Sequence, residues 1–260
     1  MRERGVVFLM YHELESDGRA LCLSDPGYVR YIVHAADFRA QMELLRAEGW
    51  RGVSVGDVVR SFSERSVAIT FDDGCETDLL TAAPLLHDFG FGATFYITTD
   101  WSGKPGYLAP AQIRELSSLG FEIGSHSVHH HYLTDLNNSD LRREIVDSKQ
   151  QLEQTIGKAV EHFSCPGGRF DGRVAQMARE AGYLTVCTSK IQSNTRSTDR
   201  LALGRVAMMR NTTLPEFRNL CCGRGLWRLG AAVQIRTAAK NILGNSAYDR
   251  VRTALLGKSS

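Results

Sequence analysis

The stretch Val67–Gly74, V-A-I-T-F-D-D-G, decides the fold. A short apolar run that ends in polar residues and a glycine is typical of a buried parallel strand whose carboxyl end faces a site. Gly74 permits a tight turn there because it has no Cβ. A single aspartate in this place would be explained by an Asx turn or a helix N-cap. Two adjacent carboxylates are costly to bury unpaired, so we interpret Asp72 and Asp73 as a site in which one binds a cation and the other accepts a proton.

Short apolar runs and amphipathic helical stretches alternate on both sides of this strand, which predicts βα units around a parallel sheet. The clearest helix is Ser139–Ile156, with Asn138 or Ser139 as its cap and Gly157 as its stop. Seven strands with short links favour a closed barrel over two domains, and an open doubly wound sheet is the alternative. The predicted strands are Val6–Met10, Val67–Phe71, Ala93–Ile97, Phe121–Gly124, His162–Ser164, Leu184–Cys187 and Leu201–Val206.

A second polar stretch, Gly124–His131, places four histidines within six residues directly after a predicted strand. Imidazole is the commonest metal ligand in proteins, so this clustering predicts a metal site. From the residues alone, His126 could be joined by His129, His130 or His131. One aspartate with two histidines leaves an open position for water, which is the arrangement of a catalytic rather than a structural zinc.

Two weaker signals concern the substrate. Phe163–Arg169, F-S-C-P-G-G-R, follows a third predicted strand, and Pro166 and Gly168 define a loop against which a ligand could lie. Trp101 follows another strand, with Tyr107 nearby in sequence. We therefore expect Trp101 to be the indole best placed to serve as a sugar platform.

These motifs carry a resemblance to a known family. The T-F-D-D-G stretch, the H-S-x-x-H made by His126 and His130, and the P-x-G of Pro166–Gly168 are similar, in order and spacing, to the motifs of the polysaccharide deacetylases. This family is also called the NodB homology domain, or carbohydrate esterase family four. Met10–His12 resembles the early Y-H of the poly-N-acetylglucosamine deacetylase branch. The resemblance spans residues 6–215.

The resemblance implies an α/β fold, a distorted (β/α)7 TIM-like barrel, and metal-dependent removal of acyl groups from sugars. It implies that Asp73, His126 and His130 are the metal ligands, with zinc as the expected ion, and that Asp72 is the catalytic base. A bound ion would lower the pKa of its water, Asp72 would take the proton, and the resulting hydroxide would attack the acyl carbonyl.

The chain departs from the family pattern in two places. The third motif of the family commonly carries an arginine that orients the base, and Ser164 stands there instead. We expect Arg205 to replace it, the alternative being a surface arginine. The commoner branches also have a late histidine that acts as the acid, but no histidine follows His162 here. His12 is the candidate for lining the pocket or supplying the proton, and a core histidine is the alternative.

Composition bounds the broad class of the protein. The chain has 260 residues, of which 43% are apolar and 23% charged, and no apolar run approaches the length of a membrane-spanning helix. The six cysteines are scattered, so neither a cysteine zinc site nor a redox pair is indicated. We find no signal peptide and therefore expect a cytoplasmic protein with reduced thiols.

Charge divides the chain into an acidic body and a basic tail. Residues 218–260 carry about +7 and residues 1–217 about −5. We predict a deacetylase barrel over 1–217, with its core motifs in 66–215, followed by a partly amphipathic helical tail. Apolar residues recur at helical spacing from Ala232 to Ile242, as in a helix packed on the body or in one held at the anionic inner face of a membrane. The acidic body argues against nucleic acid as a partner.

The sequence therefore predicts a hydrolase that removes an N-acetyl or other acyl group from an amino sugar. The expected substrate is a carbohydrate or glycolipid, and cytoplasmic residence favours a glycan precursor over an exported polymer. The alternative is a non-catalytic sugar-binding barrel of the same fold. The intact motif residues Asp72, Asp73, His126 and His130 argue against that alternative.

Overall fold

The computed structural model describes residues 5–231. The chain divides into two compact units, Met1–Arg224 and Gly225–Ser260, and the second is described only over 225–231, where 226–231 are helical. The tail helix predicted at 232–242 lies outside the described residues, and its membrane contact stays a prediction. Within the described part of the chain, none of the helices combines the length and the apolar content needed to cross a bilayer.

The strands are short and follow one another at intervals along the first unit. They are β1 (Val7–Tyr11), β2 (Leu14–Glu15), β3 (Val33–His34), β4 (Arg51–Val53), β5 (Ser66–Phe71), β6 (Thr94–Ile97), β7 (Glu122–Ser125), β8 (His162–Ser164), β9 (Thr185–Cys187) and β10 (Val206–Ala207). Helices connect most of them. They are α1 (Pro26–Val29), α2 (Ala35–Ala47), α3 (Val55–Arg60), α4 (Ala83–Phe89), α5 (Pro110–Ser118), α6 (Asn138–Ile156), α7 (Gly172–Glu180) and α8 (Leu214–Cys221). A π-helical turn, Asp78–Ala82, precedes α4 directly.

The main sheet runs in the order β10-β1-β5-β6-β7-β8-β9, with every pair parallel. β4 pairs with the first half of β5, and β6 pairs with its end. The circuit closes through Leu203, which bridges Cys187 in parallel just before β10 returns to β1. The Leu203 amide donates to the Val186 carbonyl at 2.9 Å across this closure. The sheet thus curls into a distorted (β/α)7 barrel, as the family resemblance implies, and not into an open doubly wound sheet.

Aromatic packing fixes the central strands against their helices. The Tyr11 and Phe71 rings stack with centroids 5.3 Å apart, and Phe71 stacks on Phe95 at 5.0 Å. Phe38 from α2 meets Tyr11 edge-on at 5.1 Å. All four side chains are fully buried. Because aromatic side chains bury large areas, this ladder holds β1, β5 and β6 in one register.

Most predicted strands are found within one or two residues of their expected ends, but Leu201–Val206 is wrong in part. Its first residues belong to a 3-10 turn, Arg200–Ala202, because the Asp199 carboxylate accepts the Leu201 amide and caps a turn there. Only Val206–Ala207 remains as a strand. The short β4 was not predicted, since three residues carry too little periodicity to show in the sequence.

The long helix α6 is found where the sequence placed it, with a different cap. Asn137, and neither Asn138 nor Ser139, is the N-cap, and its side chain accepts the Asp140 amide at 3.0 Å. Gly157 ends the helix in a left-handed conformation with φ of 67°, as expected of a C-cap glycine.

Candidate active site

The strand register gathers the predicted site residues at one edge of the barrel. Tyr11 of β1 aligns with Phe71 of β5, and the Asp72 amide donates to the Tyr11 carbonyl at 3.0 Å. On the next strands the His126 amide donates to the Ile97 carbonyl at 2.9 Å. The carboxyl ends of parallel strands meet at this edge, which is where α/β barrels place their active sites.

Asp72 is buried and fully paired. The Arg205 Nη1 and Nη2 atoms each lie 2.7 Å from one of its two carboxylate oxygens, which makes a bidentate ion pair. Arg205 is only 1% exposed, so it is not a surface arginine. Burial opposes the charge on Asp72 most strongly, but the attraction and hydrogen bonds of Arg205, together with the attractions of His126 and His12, hold the pKa of Asp72 well below its ordinary value.

Ser164 joins the same ion pair. Its hydroxyl accepts from Arg205 Nη2 at 2.7 Å and donates to Asp72 Oδ2 at 3.3 Å. The Thr70 hydroxyl and the Thr188 carbonyl accept two further bonds from Arg205, at 3.2 and 3.3 Å. The small side chain of Ser164 therefore leaves room for the guanidinium of Arg205, which comes from the last part of the barrel. Sequence reasoning predicted Arg205 but missed the partnership of Ser164 and Thr70.

Asp73 stands in a different environment although it is the next residue. Its Oδ1 atom is buried with no hydrogen-bond partner. This oxygen lies 3.6 Å from His126 Nε2 and 3.5 Å from His130 Nε2. Ligands of a tetrahedral ion at about 2.0–2.1 Å are separated by about 3.3–3.4 Å, so the three atoms fit a shared divalent ion. Burial raises the pKa of Asp73 to about 6, with His12 opposing the shift and Asp72 reinforcing it.

The two imidazoles are held in the form that binds metals. His126 Nδ1 contacts the Ser164 carbonyl at 2.9 Å, which leaves Nε2 toward Asp73. Burial lowers the pKa of His126 to about 3, and burial also lowers the pKa of His130. Both rings are thus neutral at pH 7. Metal-binding histidines commonly have their other nitrogen fixed by a backbone carbonyl in this way.

The remaining histidines of the cluster turn elsewhere. His129 Nδ1 lies 2.7 Å from a Glu144 carboxylate oxygen, and His131 Nδ1 lies 3.5 Å from the same oxygen. Glu144 also accepts the backbone amides of Val128 and His129 at 2.9 Å. Of the three partners that the sequence left open for His126, the structure therefore brings His130 to Asp73.

Backbone strain is concentrated at this site. Within residues 5–231, the non-glycine residues with positive φ are Asp73 at 81°, Ser127 at 66° and His130 at 61°. Each such conformation costs on the order of 1–3 kcal/mol and persists where the surroundings impose it, commonly at functional sites. Gly74 follows at 81°, and a Cβ there would lie 3.1 Å from the Ile97 side chain. Two of the three predicted ligands thus adopt a conformation that sequence alone disfavours.

His12 lies beside the aspartates at the end of β1. Its Nδ1 atom is buried without a hydrogen-bond partner, and its ring lies 5.3 Å from the Tyr31 ring. His12 interacts electrostatically with both Asp72 and Asp73. Its expected role of lining the pocket or supplying the proton stays a prediction.

Trp101 forms an aromatic wall next to the candidate ligands. Its ring stacks on His130 with centroids 5.0 Å apart and an interplanar angle of 28°. Tyr107 lies 5.0 Å from Trp101 on another side. Trp101 ends a 3-10 turn, Thr99–Trp101, that follows β6, and its contact with the candidate ligand His130 was not expected from the sequence.

Pro166 and Gly168 form a 3-10 turn directly after β8. Gly168 has φ of 67°, and a Cβ there would come within 2.0 Å of the Ser189 hydroxyl. The glycine is therefore needed for close packing of this loop. The substrate-binding role of Pro166 and Gly168 stays a prediction.

Comparisons with known proteins agree with the motifs. Residues 60–186 match the family model described as polysaccharide deacetylase. The chain is 28% identical over 204 residues to YxkH of Bacillus subtilis (strain 168), whose name places it among the polysaccharide deacetylases, covering 76% of this chain and 69% of that one. It is 33% identical over 128 residues to a peptidoglycan-N-acetylglucosamine deacetylase of Bacillus cereus, covering 49% of this chain and 58% of that one.

A solved structure shows the same fold over most of this chain. The Streptococcus pyogenes deacetylase PplD superposes with a TM-score of 0.74 at 22% identity, covering 83% of this chain and 97% of that one. The fold thus places the polar residues of this chain at the carboxyl ends of the barrel strands. Residues 60–186 carry a polysaccharide deacetylase domain, which confirms the resemblance seen in the motifs.

Proposed function

We propose that this chain is a metal-dependent carbohydrate N-deacetylase that removes an acetyl or related acyl group from an amino sugar of a polysaccharide or glycan precursor. The observation that carries the proposal is the unpartnered Asp73 Oδ1, buried between two neutral imidazoles and next to the paired Asp72. Relatives named as deacetylases of peptidoglycan and of poly-N-acetylglucosamine support the choice of substrate class.

Asp73, His126 and His130 would hold the ion. These donors are one oxygen and two nitrogens, a set that suits zinc in a catalytic site with an open position. When bound, such an ion supplies a Lewis acid that lowers the pKa of water and polarises an acyl carbonyl. The two histidines are already neutral, which is the form that binds a metal. Asp73, with a pKa of about 6, must be deprotonated to bind the ion.

Asp72 is the proposed general base. Arg205 and Ser164 fix both of its oxygens, so its position at the reacting atoms does not depend on the substrate. The ion pair also keeps Asp72 ionised across the neutral range, at a cost in basic strength. Arg205 is a positioning residue in this scheme, since it acts through Asp72.

His12 is the proposed general acid, which must protonate the leaving amine. It lines the same end of the barrel as the two aspartates, and its unpartnered Nδ1 shows that the fold does not use this nitrogen for its own bonding. Trp101 is proposed to hold the sugar, because its indole stands beside His130 and aromatic faces pack well against sugar rings.

Amine release tests the proposal. The purified chain would be assayed on N-acetylglucosamine oligomers and on lipid-linked amino sugars, with and without a chelator, beside the Asp72→Asn variant. We expect release that stops with chelator, returns with added zinc and is lost in the variant. Chelator-insensitive release, or binding of the oligomers with no release across the panel, would instead support a sugar-binding barrel without catalysis.

A further inference from the structure

A second cluster of potential metal ligands lies beside the active-site loop. It consists of Glu13, Cys22 and Cys75, whose ligand atoms all lie within 4.8 Å of one another. Cys75 comes two residues after Asp73, and Cys22 lies 53 residues earlier in the chain. Spacing in the sequence gave no sign of this group, because the fold alone brings the two cysteines together.

The separation of the two sulfurs matches shared coordination. Cys22 Sγ and Cys75 Sγ are 3.8 Å apart. Two thiolates bound to one tetrahedral zinc ion at about 2.3 Å are separated by about 3.8 Å. A disulfide would require about 2.05 Å, so both cysteines are free, and the Cys22 thiol also lies 3.2 Å from the Gly106 carbonyl oxygen.

Burial and bonding favour a cation over an empty cluster. Glu13 is 1% exposed and Cys75 is fully buried. The Glu13 carboxylate accepts the Cys22 amide at 3.0 and 3.1 Å and also interacts with the side chains of Cys22 and Tyr28. A carboxylate has about four lone pairs, so it can still bind a cation. Tyr28 Oη lies 3.6 Å from Cys75 Sγ, where a phenol can donate to a thiolate.

Asp78 supplies an independent sign of missing positive charge. Its side chain is fully buried, and neither carboxylate oxygen has a hydrogen-bond partner. Its backbone amide donates to the Cys75 carbonyl at 3.0 Å, which places it one turn beyond the cluster. Burial raises the pKa of Asp78 most, and the charges of Asp73, Cys22, Asp72 and Glu13 add to the shift. An unpaired buried carboxylate is costly, and a nearby cation lowers that cost.

We propose that Glu13, Cys22 and Cys75 form a second metal site, for a thiophilic divalent ion of the zinc type. The ion would tie the segment after β2, which carries Cys22, to the loop that carries Asp73. It would thereby brace the strained backbone at Asp73 and Gly74. This site shares no ligand with the proposed deacetylase centre, so either one can exist without the other.

Titration of the 260-residue chain with Co²⁺, in the presence of a phosphine reductant, tests the proposal. Thiolate ligands give cobalt a near-ultraviolet charge-transfer band that oxygen and imidazole ligands do not give. We expect this band in the unaltered protein and its loss in Cys22→Ser and in Cys75→Ser. The matched control Cys222→Ser should keep it, and Asp73→Asn should keep it while binding one ion fewer.

Glu13→Gln provides a variant that leaves both sulfurs in place. We expect its band to persist with Co²⁺ bound at least about tenfold more weakly, since even loss of an outer-shell partner costs about that much affinity. Circular dichroism would show that each variant is folded. A reduced, folded protein that binds Co²⁺ without a thiolate band, or a band that survives in both cysteine variants, would overturn the proposal.

Discussion

Asp72 and Asp73 are neighbours in the chain with opposite surroundings. Each oxygen of Asp72 is bound by Arg205, and one also by Ser164. Asp73 keeps a buried oxygen without any partner, pointing at two imidazoles. Both residues follow the last residue of β5, and the positive φ of Asp73 turns the chain there, so the two carboxylates reach different partners within one site. The contrast teaches that the role of each carboxylate at this edge is set by the groups around it, since the residue type is the same.

The same contrast appears in the two pKa values. Both carboxylates are buried, and burial alone would raise both. For Asp72 the interactions with Arg205, His126 and His12 together reverse the effect of burial, whereas Asp73 is left with a pKa of about 6. Titratable groups whose environments separate their pKa values commonly have separate acid–base roles. Here Asp72 stays ionised well below neutral pH, whereas Asp73 takes up its proton near pH 6.

The largest expected effect comes from removing the paired carboxylate. Asp72→Asn keeps the size of the side chain and one acceptor oxygen but cannot accept a proton. We expect kcat to fall by about 10³–10⁴-fold, in line with loss of a general base. Steady-state amine release on N-acetylglucosamine oligomers measures it. A loss of less than tenfold in kcat would show that Asp72 is not the general base.

Removing Arg205 from its ion pair with Asp72 tests whether Arg205 causes the difference between the two aspartates. Arg205→Met leaves Asp72 buried without a counter-charge, so the free energy of unfolding should fall by about 3–5 kcal/mol. Denaturant unfolding measures the change, with Arg39→Met on the exposed face of α2 as the matched control, expected within about 0.5 kcal/mol.

The double variant Asp72→Asn/Arg205→Met sharpens that test. It removes both charges, so it should be more stable than Arg205→Met alone. A single Arg205→Met variant that is as stable as the control would contradict the buried ion pair.

The smallest predicted effect is the pH dependence of metal affinity, which tests the pKa of Asp73. The proton on Asp73 competes with the ion below a pKa of about 6, while His126 stays neutral down to about pH 3. Affinity for the ion should therefore be level above about pH 7 and fall by about tenfold per unit below pH 6. Competition with a chromophoric chelator measures it, restricted to the equivalent that Asp73→Asn loses. A level affinity between pH 7 and pH 5 would contradict the raised pKa.

Much of this site was predictable because its residues follow strands. Asp72, Asp73 and His126 each come one or two residues after a buried run, and a parallel sheet must bring such residues to one edge. Choosing His130 over its neighbours needed the family pattern, because spacing in the sequence does not separate three consecutive histidines. In the structure His129 and His131 lie next to Glu144, which leaves His130 for Asp73.

Other features depend on tertiary contacts that no local pattern encodes. Cys22 and Cys75 meet only because the loop after β2 folds back over the active-site loop. The start of the strand expected over 201–206 is a turn for a local reason, because Asp199 accepts the Leu201 amide two residues further on. Arg205 was predicted from a gap in the third motif, but its bidentate geometry depends on Ser164 and Thr70 from two other strands.

The central claim is that Asp73 binds the metal ion whereas Asp72, paired with Arg205, does not. Calorimetric titration with Zn²⁺ tests this claim most directly. The number of ions bound would be compared among the unaltered chain, Asp72→Asn and Asp73→Asn, with circular dichroism to verify folding. We predict that Asp72→Asn binds as many ions as the unaltered chain and that Asp73→Asn binds one fewer. Equal losses in both variants, or a loss confined to Asp72→Asn, would contradict the account.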